Sequence, residues 1–551
     1  MKKIFNWLVL GLIVTGSVSC KKYLDINENP NAATNGPADL VLPQAIVSTA
    51  AMASQFNTSF GDVGGFRANI YGVGGYGTVV TYAYTSSDFA GLWAKGYDVA
   101  QDFQYVINST SGDASQVYST SMARIMKAFV FSKMVDQYND LPYFEALKGQ
   151  QVLLPKYDSA VLIYEDLVKE LNESISAIAT AQAANAATAG SVPFPNYQAD
   201  PLFKPANTLV SQTAAMANWM RFANTVKLRL LVKLAFSGKS TTFANAQLAA
   251  FDNTLGIITD DATVNPVYTA DAGRQNPTYA AYGYSAAGVR ANAQRIPTRW
   301  ILSFYNGLKI TDPGRSALIF RDPTAARSNQ LGNEVTVTTQ VPSTSPISAS
   351  SWFTGTTVGG NAKGFVKGHT QDQVLVLLAE AKFLQAEAYE RGYLTGSSAT
   401  AFADGIKASI RYLNKDATAN ATGDAAPTTA AVDALYNAYI GNTNNAGNRF
   451  VLYALNTTQA QRLEVIGTQK YIALAYITSD EAFNEFRRTT YPTIVNGSSN
   501  EIQTFASTQS ASTRPDRLPS RIPYPQSEFA TNAGNVPNAN IFTSLIFWDL
   551  N

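Results

Sequence analysis

The chain has 551 residues, with 41 Lys and Arg against 40 Asp and Glu, and its charges are interspersed without runs. That balance excludes the basic field that a phosphate backbone requires, so nucleic acid is not an expected partner. A single cysteine and a single histidine exclude an intramolecular disulfide, a Cys-rich metal site and a multi-histidine metal site, and a chain this long buries enough core to fold without disulfides.

The N-terminus reads as an address. Lys2 and Lys3 form a positive start, and residues 5–14 follow as an apolar run too short to cross a bilayer. Small residues Ser17, Val18 and Ser19 then precede Cys20. This order predicts a lipoprotein signal peptide over 1–19 and diacylation of Cys20, although Ser17 stands where a lipobox usually has leucine. An ordinary secretory signal with an incidental cysteine is the alternative. Residues 20–36 are Asn-rich and contain Pro30, as a tether would, and the folded body is expected over 37–551 as one domain. No later segment offers the roughly eighteen consecutive apolar residues of a membrane helix.

Beyond the tether the period is helical. Met122, Ile125, Met126 and Phe129 share a face, and so do Ala160, Ile163, Tyr164, Leu167, Leu171 and Ile175, with Asp158 placed to cap that helix. Trp219, Phe222, Ala223, Val226, Leu230 and Leu234 form a third stripe. Val374, Leu377, Leu378, Ala381, Leu384 and Ala388 form a fourth, closed by Gly392, and its alanines Ala379 and Ala386 invite a close neighbour. Leu463, Ile466, Ala473, Leu474 and Ile477 mark a long fifth helix, after which Thr478 and Glu481 have capping-box spacing. Long irregular segments lie between, at 61–84, 181–206, 260–297 and 335–368, the last alternating Thr and Val as a short hairpin would. Helix pairs with variable insertions predict a helical-repeat body carrying long loops.

Seven blocks taken in order resemble the SusD/RagB family, in its SusD-like branch. They are Cys20-Lys21-Lys22-Tyr23-Leu24-Asp25 with Asn29-Pro30-Asn31; Val135-Asp136-Gln137-Tyr138-Asn139-Asp140-Leu141-Pro142-Tyr143; Tyr157-Asp158 with Tyr164; Trp219-Met220-Arg221-Phe222-Ala223-Asn224 with Arg229; Leu378-Ala379-Glu380-Ala381 running to Glu387 and Arg391-Gly392; Gln469-Lys470-Tyr471 with Glu481 and Phe486-Arg487-Arg488; and Leu518-Pro519, Arg521, Tyr524-Pro525 with Phe547-Trp548-Asp549. Three local departures are Asn139 and Thr490 in place of glycines, and Gly314 inserted within Asp312-Pro313-Gly314-Arg315. The resemblance implies a mainly α, tetratricopeptide-like superhelix with small hairpins. It also implies a nutrient-binding lipoprotein on the outer-membrane surface, which delivers glycans or peptides to a SusC-like TonB-dependent transporter. Read from the residues alone, Glu380, Glu387, Arg487 and Arg488, and the pair Asn224 and Arg229, are expected to make polar contacts between helices.

Enzyme chemistry lacks its parts. His369 stands alone and Cys20 is committed to the anchor, and no H-E-x-x-H, G-x-S-x-G or Walker loop occurs. No cofactor or metal is expected. A glycoside hydrolase needs only two carboxylates, for which Asp88, Asp98, Glu380 and Glu387 qualify by type. That enzyme and a purely adhesive lipoprotein are the alternatives to capture. Sugar sites combine aromatic platforms with amides and arginines. Two loops have this composition: Phe66, Arg67, Asn69, Tyr71, Tyr76, Tyr82 and Tyr84 in one, and Arg274, Asn276, Tyr279, Tyr282, Tyr284 and Arg290 in the other. Trp352 and Phe353 form a smaller third cluster. The same rings would equally serve as packing, or as a face for the transporter.

Overall fold

The computed structural model describes residues 36–69, 77–291, 294–322, 350–355, 362–417 and 424–551. Cys20 and most of the expected tether lie outside them. Among the described residues ten long helices carry the fold: α1 (Ala38–Val63), α2 (Ala90–Thr110), α3 (Val117–Tyr138), α4 (Ala160–Ala187), α5 (Leu209–Ser237), α6 (Leu378–Glu390), α7 (Ser398–Asn414), α8 (Thr429–Ile440), α9 (Gln459–Leu474) and α10 (Ser479–Thr489). Each of α1 to α5 packs on the next, α5 packs on α6, α6 on α9 and α9 on α10, and α10 returns to α1. The circuit therefore closes, with α7 laid outside it against α6 and α8 against α7. Helices inside such a ring bury more than one stripe, and α3 is enclosed over almost its whole circumference.

Local chemistry sets the helix ends. Gly238, at φ +66°, closes α5 in the left-handed conformation that glycine adopts at no steric cost. Alanines let α7 approach α6 as expected, and a Cβ on Gly405 would stand 2.8 Å from the Phe383 ring. Two expected caps and one expected helix start resolve differently. Asp158 accepts from the Tyr143 and Phe144 amides, and the first turn of α4 is served by Asp140, whose Oδ1 accepts from the Ala160 amide at 2.8 Å. The capping box is at Thr458 and Gln461, heading α9, and not at Thr478 and Glu481, because Glu481 is drawn into an ion pair with Lys233. Val374 is not helical: Gln373–Val376, buried on both faces, forms strand β4, and Asp261 caps α6 by accepting from the Leu378 amide at 3.0 Å.

Strand pairing is confined to two small antiparallel pairs among the described residues. β1 (Arg67–Asn69) pairs with β3 (Arg295–Pro297), and β2 (Ala262–Val264) with β4. The hairpin expected at 335–368 falls mostly outside the described residues. The C-terminal segment clasps the ring. Tyr524 and Arg521 donate to the Tyr138 carbonyl, Trp548 Nε1 donates to Asp136 at 2.8 Å, and Asn139 Oδ1 accepts from the Phe547 amide at 2.7 Å. Asn139, at φ +62°, thus supplies both the left-handed turn and a bond that glycine could not make. Thr490 takes the same φ region at the end of α10, and Gly314 leaves Asp312 free to cap its helix through the Arg315 amide.

Candidate functional site

The three aromatic clusters converge. β1 and β3 lie side by side in the register Arg67↔Pro297 and Asn69↔Arg295, which brings the start of the first loop against the segment that follows the second. Asp62, at the end of α1, holds both flanking arginines, with Arg67 Nε and Arg295 Nε each 3.1 Å from its Oδ1. Burial opposes the charge on Arg67, but Asp62 together with the Tyr282 and Tyr476 hydroxyls outweighs that cost and keeps its pKa above the ordinary arginine value. The guanidinium lies 5.6 Å from the centroid of the Tyr282 ring. Tyr282 meets Trp352 edge-on at 5.1 Å and Phe365 at 5.3 Å.

A residue that sequence reasoning passed over sits at the hub. Tyr476, between α9 and α10 at φ +66°, stacks on Phe365 at 5.3 Å and lies within 6.3 Å of Phe66, Tyr282, Phe320 and Trp352. Its hydroxyl donates to the Phe66 carbonyl at 2.7 Å. Nothing in Ala475-Tyr476-Ile477 announces this, because the position depends on a helix break and on contacts hundreds of residues away.

Most of the expected contact residues are the floor, not the surface. Phe66, Arg67, Tyr82, Asn276, Tyr279, Tyr282, Tyr284 and Trp352 are all buried, and so offer no open face to a ligand. Asn276 caps the short helix Pro277–Tyr282 by accepting from the Tyr279 amide, and Tyr82 accepts from the Ser507 amide through its hydroxyl. A tyrosine suits such a place because its ring fills the core while its hydroxyl reaches a backbone group, as those of Tyr82 and Tyr476 do. Burial pushes the hydroxyl pKa of Tyr84 and of Tyr282 upward. Open to solvent at this end are Arg274, and in part Tyr84, Arg290 and Phe353. Burial, with the neighbouring Arg321 guanidinium adding to it, lowers the pKa of Arg290. Tyr71, Tyr76 and the side chain of Asn69 lie outside what is described.

The candidate carboxylates have structural roles. Glu380 accepts from Arg229 at 2.7 Å, and Arg488 grips Glu387 through two bonds of 2.8 and 2.5 Å, all inside the ring. Lys233 bridges Asp136 at 2.7 Å and Glu481 at 2.8 Å, and Arg487 spans the Ser520 and Asp136 carbonyls. The expected contacts between helices are thus present for Glu380, Glu387, Arg229, Arg487 and Arg488, whereas Asn224 holds the loop carbonyls of Asp252 and Gly256. Asp88 caps the Thr85 turn and Asp98 pairs with Lys95 on the surface. His369 is half-buried, with Tyr279 edge-on at 6.2 Å. Among the described residues no group of three or more His, Cys, Asp or Glu could hold a metal ion, and no helix is long and apolar enough to cross a membrane.

The family model described as "Starch-binding associating with outer membrane", SusD-like, matches residues 30–525. The chain belongs to the SusD-like family. Solved structures agree on the SusD-like fold. A SusD homolog from Bacteroides uniformis superposes with a TM-score of 0.64 at 19% identity, over 93% of this chain and 99% of its own. A chitin-binding SusD homolog from Flavobacterium johnsoniae gives 0.65 at 17% identity over 93% and 99% of the two chains. A protein described as chitin-binding gives 0.62 at 22% identity over 94% and 100%. No curated protein sequence matches this chain. The motifs that carried the resemblance are mostly the ionic core and the C-terminal clasp, so their residues answer to the fold and not to the ligand.

Proposed function

We propose that this SusD-like chain is a lipid-anchored surface protein that captures glycans and delivers them, unaltered, to a TonB-dependent outer-membrane transporter. The observation that carries the reading is the convergence of three separate aromatic loop segments on one end of a rigid helical ring. A fixed floor with open aromatic and arginine groups above it lowers the entropy lost when a flexible oligosaccharide binds. On this reading Tyr84, Arg274, Arg290 and Phe353 meet the ligand, with Tyr71 and Tyr76 from the same segment as Tyr84. The family's association with starch and the outer membrane, and the chitin binding of two similar proteins, favour a glycan over a peptide. Cys20 supplies the anchor. Burial of Glu380 and Glu387 in ion pairs favours capture over hydrolysis. Calorimetric titration with starch, chitin and peptide oligomers, with chromatography of the ligand afterwards, tests it. Saturable binding with intact ligand is expected, and turnover or a preference for peptides would overturn it.

A further inference from the structure

Two hollows on the outer wall of the ring have no part in the loop end. One, of about 420 Å³, opens between α2, α3 and the loop at 143–151. The other, of about 500 Å³, opens along α4 towards the helix Thr241–Ala249. Phe144 and Asp166 line both, so the hollows join into one groove with the Phe144 ring as the ridge between them. Each half is within the range of small-molecule sites, and together they suit an extended chain.

We infer that this groove is a second carbohydrate site, which takes several units of a neutral oligosaccharide lying across Phe144. The inference rests on the glycan reading of the protein but not on the loop end. Phe144 is 44% exposed and braced edge-on by Tyr143 at 4.9 Å, which in turn meets Phe131 at 4.8 Å. An open ring held rigid from behind is a platform for the C–H face of a sugar.

The polar groups on both sides are fixed in advance. Lys127 donates to Gln104 Oε1 at 3.1 Å, and Gln104 donates onward to Asn108 at 2.8 Å. Tyr143 donates to Asp166 at 2.8 Å. On the far side Lys227 donates to Asn172 at 2.9 Å and Asn172 donates to Gln247 at 2.8 Å. Each amide in these relays keeps donors or acceptors beyond the bond named, and an ammonium has three donors, so hydroxyls find partners of either kind. The charges lining the groove cancel, with Lys127, Lys148 and Lys169 against Glu165, Asp166 and Glu173. A polyanion or polycation gains nothing there, and a hydroxylated neutral chain does.

Affinity electrophoresis through gels containing soluble starch, glycol chitin, xylan, laminarin or alginate provides the test, with Phe144→Ala, Asn172→Ala and the loop-end pair Tyr84→Ala and Arg274→Ala compared with the wild type. Phe144→Ala should weaken retention by at least one neutral polysaccharide about tenfold, with the melting temperature unchanged because the ring is exposed. Asn172→Ala should weaken the same polysaccharide. If the loop-end variants lose binding while Phe144→Ala and Asn172→Ala keep wild-type retention on every gel, the groove is not a site and the glycan reading stands. Retention by alginate alone would overturn the neutral-chain assignment. Retention by none of the gels would overturn both readings together.

Discussion

Arg488 offers the sharpest test of how the ring is held. Its guanidinium is fully enclosed and bonds Glu387 twice, at 2.8 and 2.5 Å, and Glu485 at 2.7 Å. Replacing it with methionine keeps the volume and strands two buried carboxylates. Breaking a buried pair from one side costs about 3–5 kcal/mol. Here Glu387 retains Arg391 at 2.6 Å and Glu485 retains Lys470 at 2.9 Å, which places Arg488→Met near the lower bound, about 3 kcal/mol. Heat is a poor reporter: at about 2.1 cal/mol/K per residue, 551 residues carry an unfolding entropy of roughly 1.2 kcal/mol/K, so Tm falls by only about 3 °C. The urea midpoint is the better assay. Arg488→Lys should fall between, because a lysine keeps the charge and loses the paired geometry. The double variant Arg488→Met with Glu387→Gln should cost less than the sum of its parts. If Arg488→Met unfolds within about 0.5 kcal/mol of wild type, the pair is not a buried one and the reasoning fails.

Tyr282→Ala should act on stability, costing about 3–5 kcal/mol as a buried aromatic does, whereas Arg274→Ala should leave the urea midpoint unchanged and weaken ligand binding; calorimetry beside denaturation separates the two. Acid should loosen the ring. Burial alone would raise the Glu387 and Glu481 pKa values, but Arg488 with Arg391, and Lys233 with Arg229, outweigh it and hold both well below the usual range. A depressed carboxylate contributes stability that is fully present above its unfolded pKa of about 4.3 and is lost as pH falls through the folded value. The urea midpoint should therefore drop steadily below about pH 4. Cys20→Ala should move the protein from the membrane fraction to the soluble one, read by fractionation and by mass spectrometry of the lipid, since stable anchoring takes two acyl chains.

How far the sequence leads differs between fold and site. Helical stripes such as Trp219 to Leu234 on α5 are legible because burial imposes a period that the chain must repeat. Val374 misleads, since a short apolar run reads as either helix or strand, and only its pairing with Thr263 decides. The aromatic loops stand out by composition, yet composition does not distinguish a ring open to solvent from one that packs on Tyr476. That distinction depends on tertiary contacts: Tyr82, Tyr282 and Tyr284 lie under the surface while Tyr84 and Phe353 reach it. The groove around Phe144 left no trace in the sequence, because its parts come from four helices and a loop and most look like ordinary surface residues.

The central claim is capture without chemistry, and calorimetric titration of the purified protein with chitin and starch oligosaccharides tests it most directly, followed by chromatography of the recovered sugar. The account predicts saturable binding to at least one oligosaccharide, recovered at its original length after prolonged incubation. Shortened product that disappears on a single Asp or Glu substitution, or the absence of binding to every oligosaccharide, would contradict it.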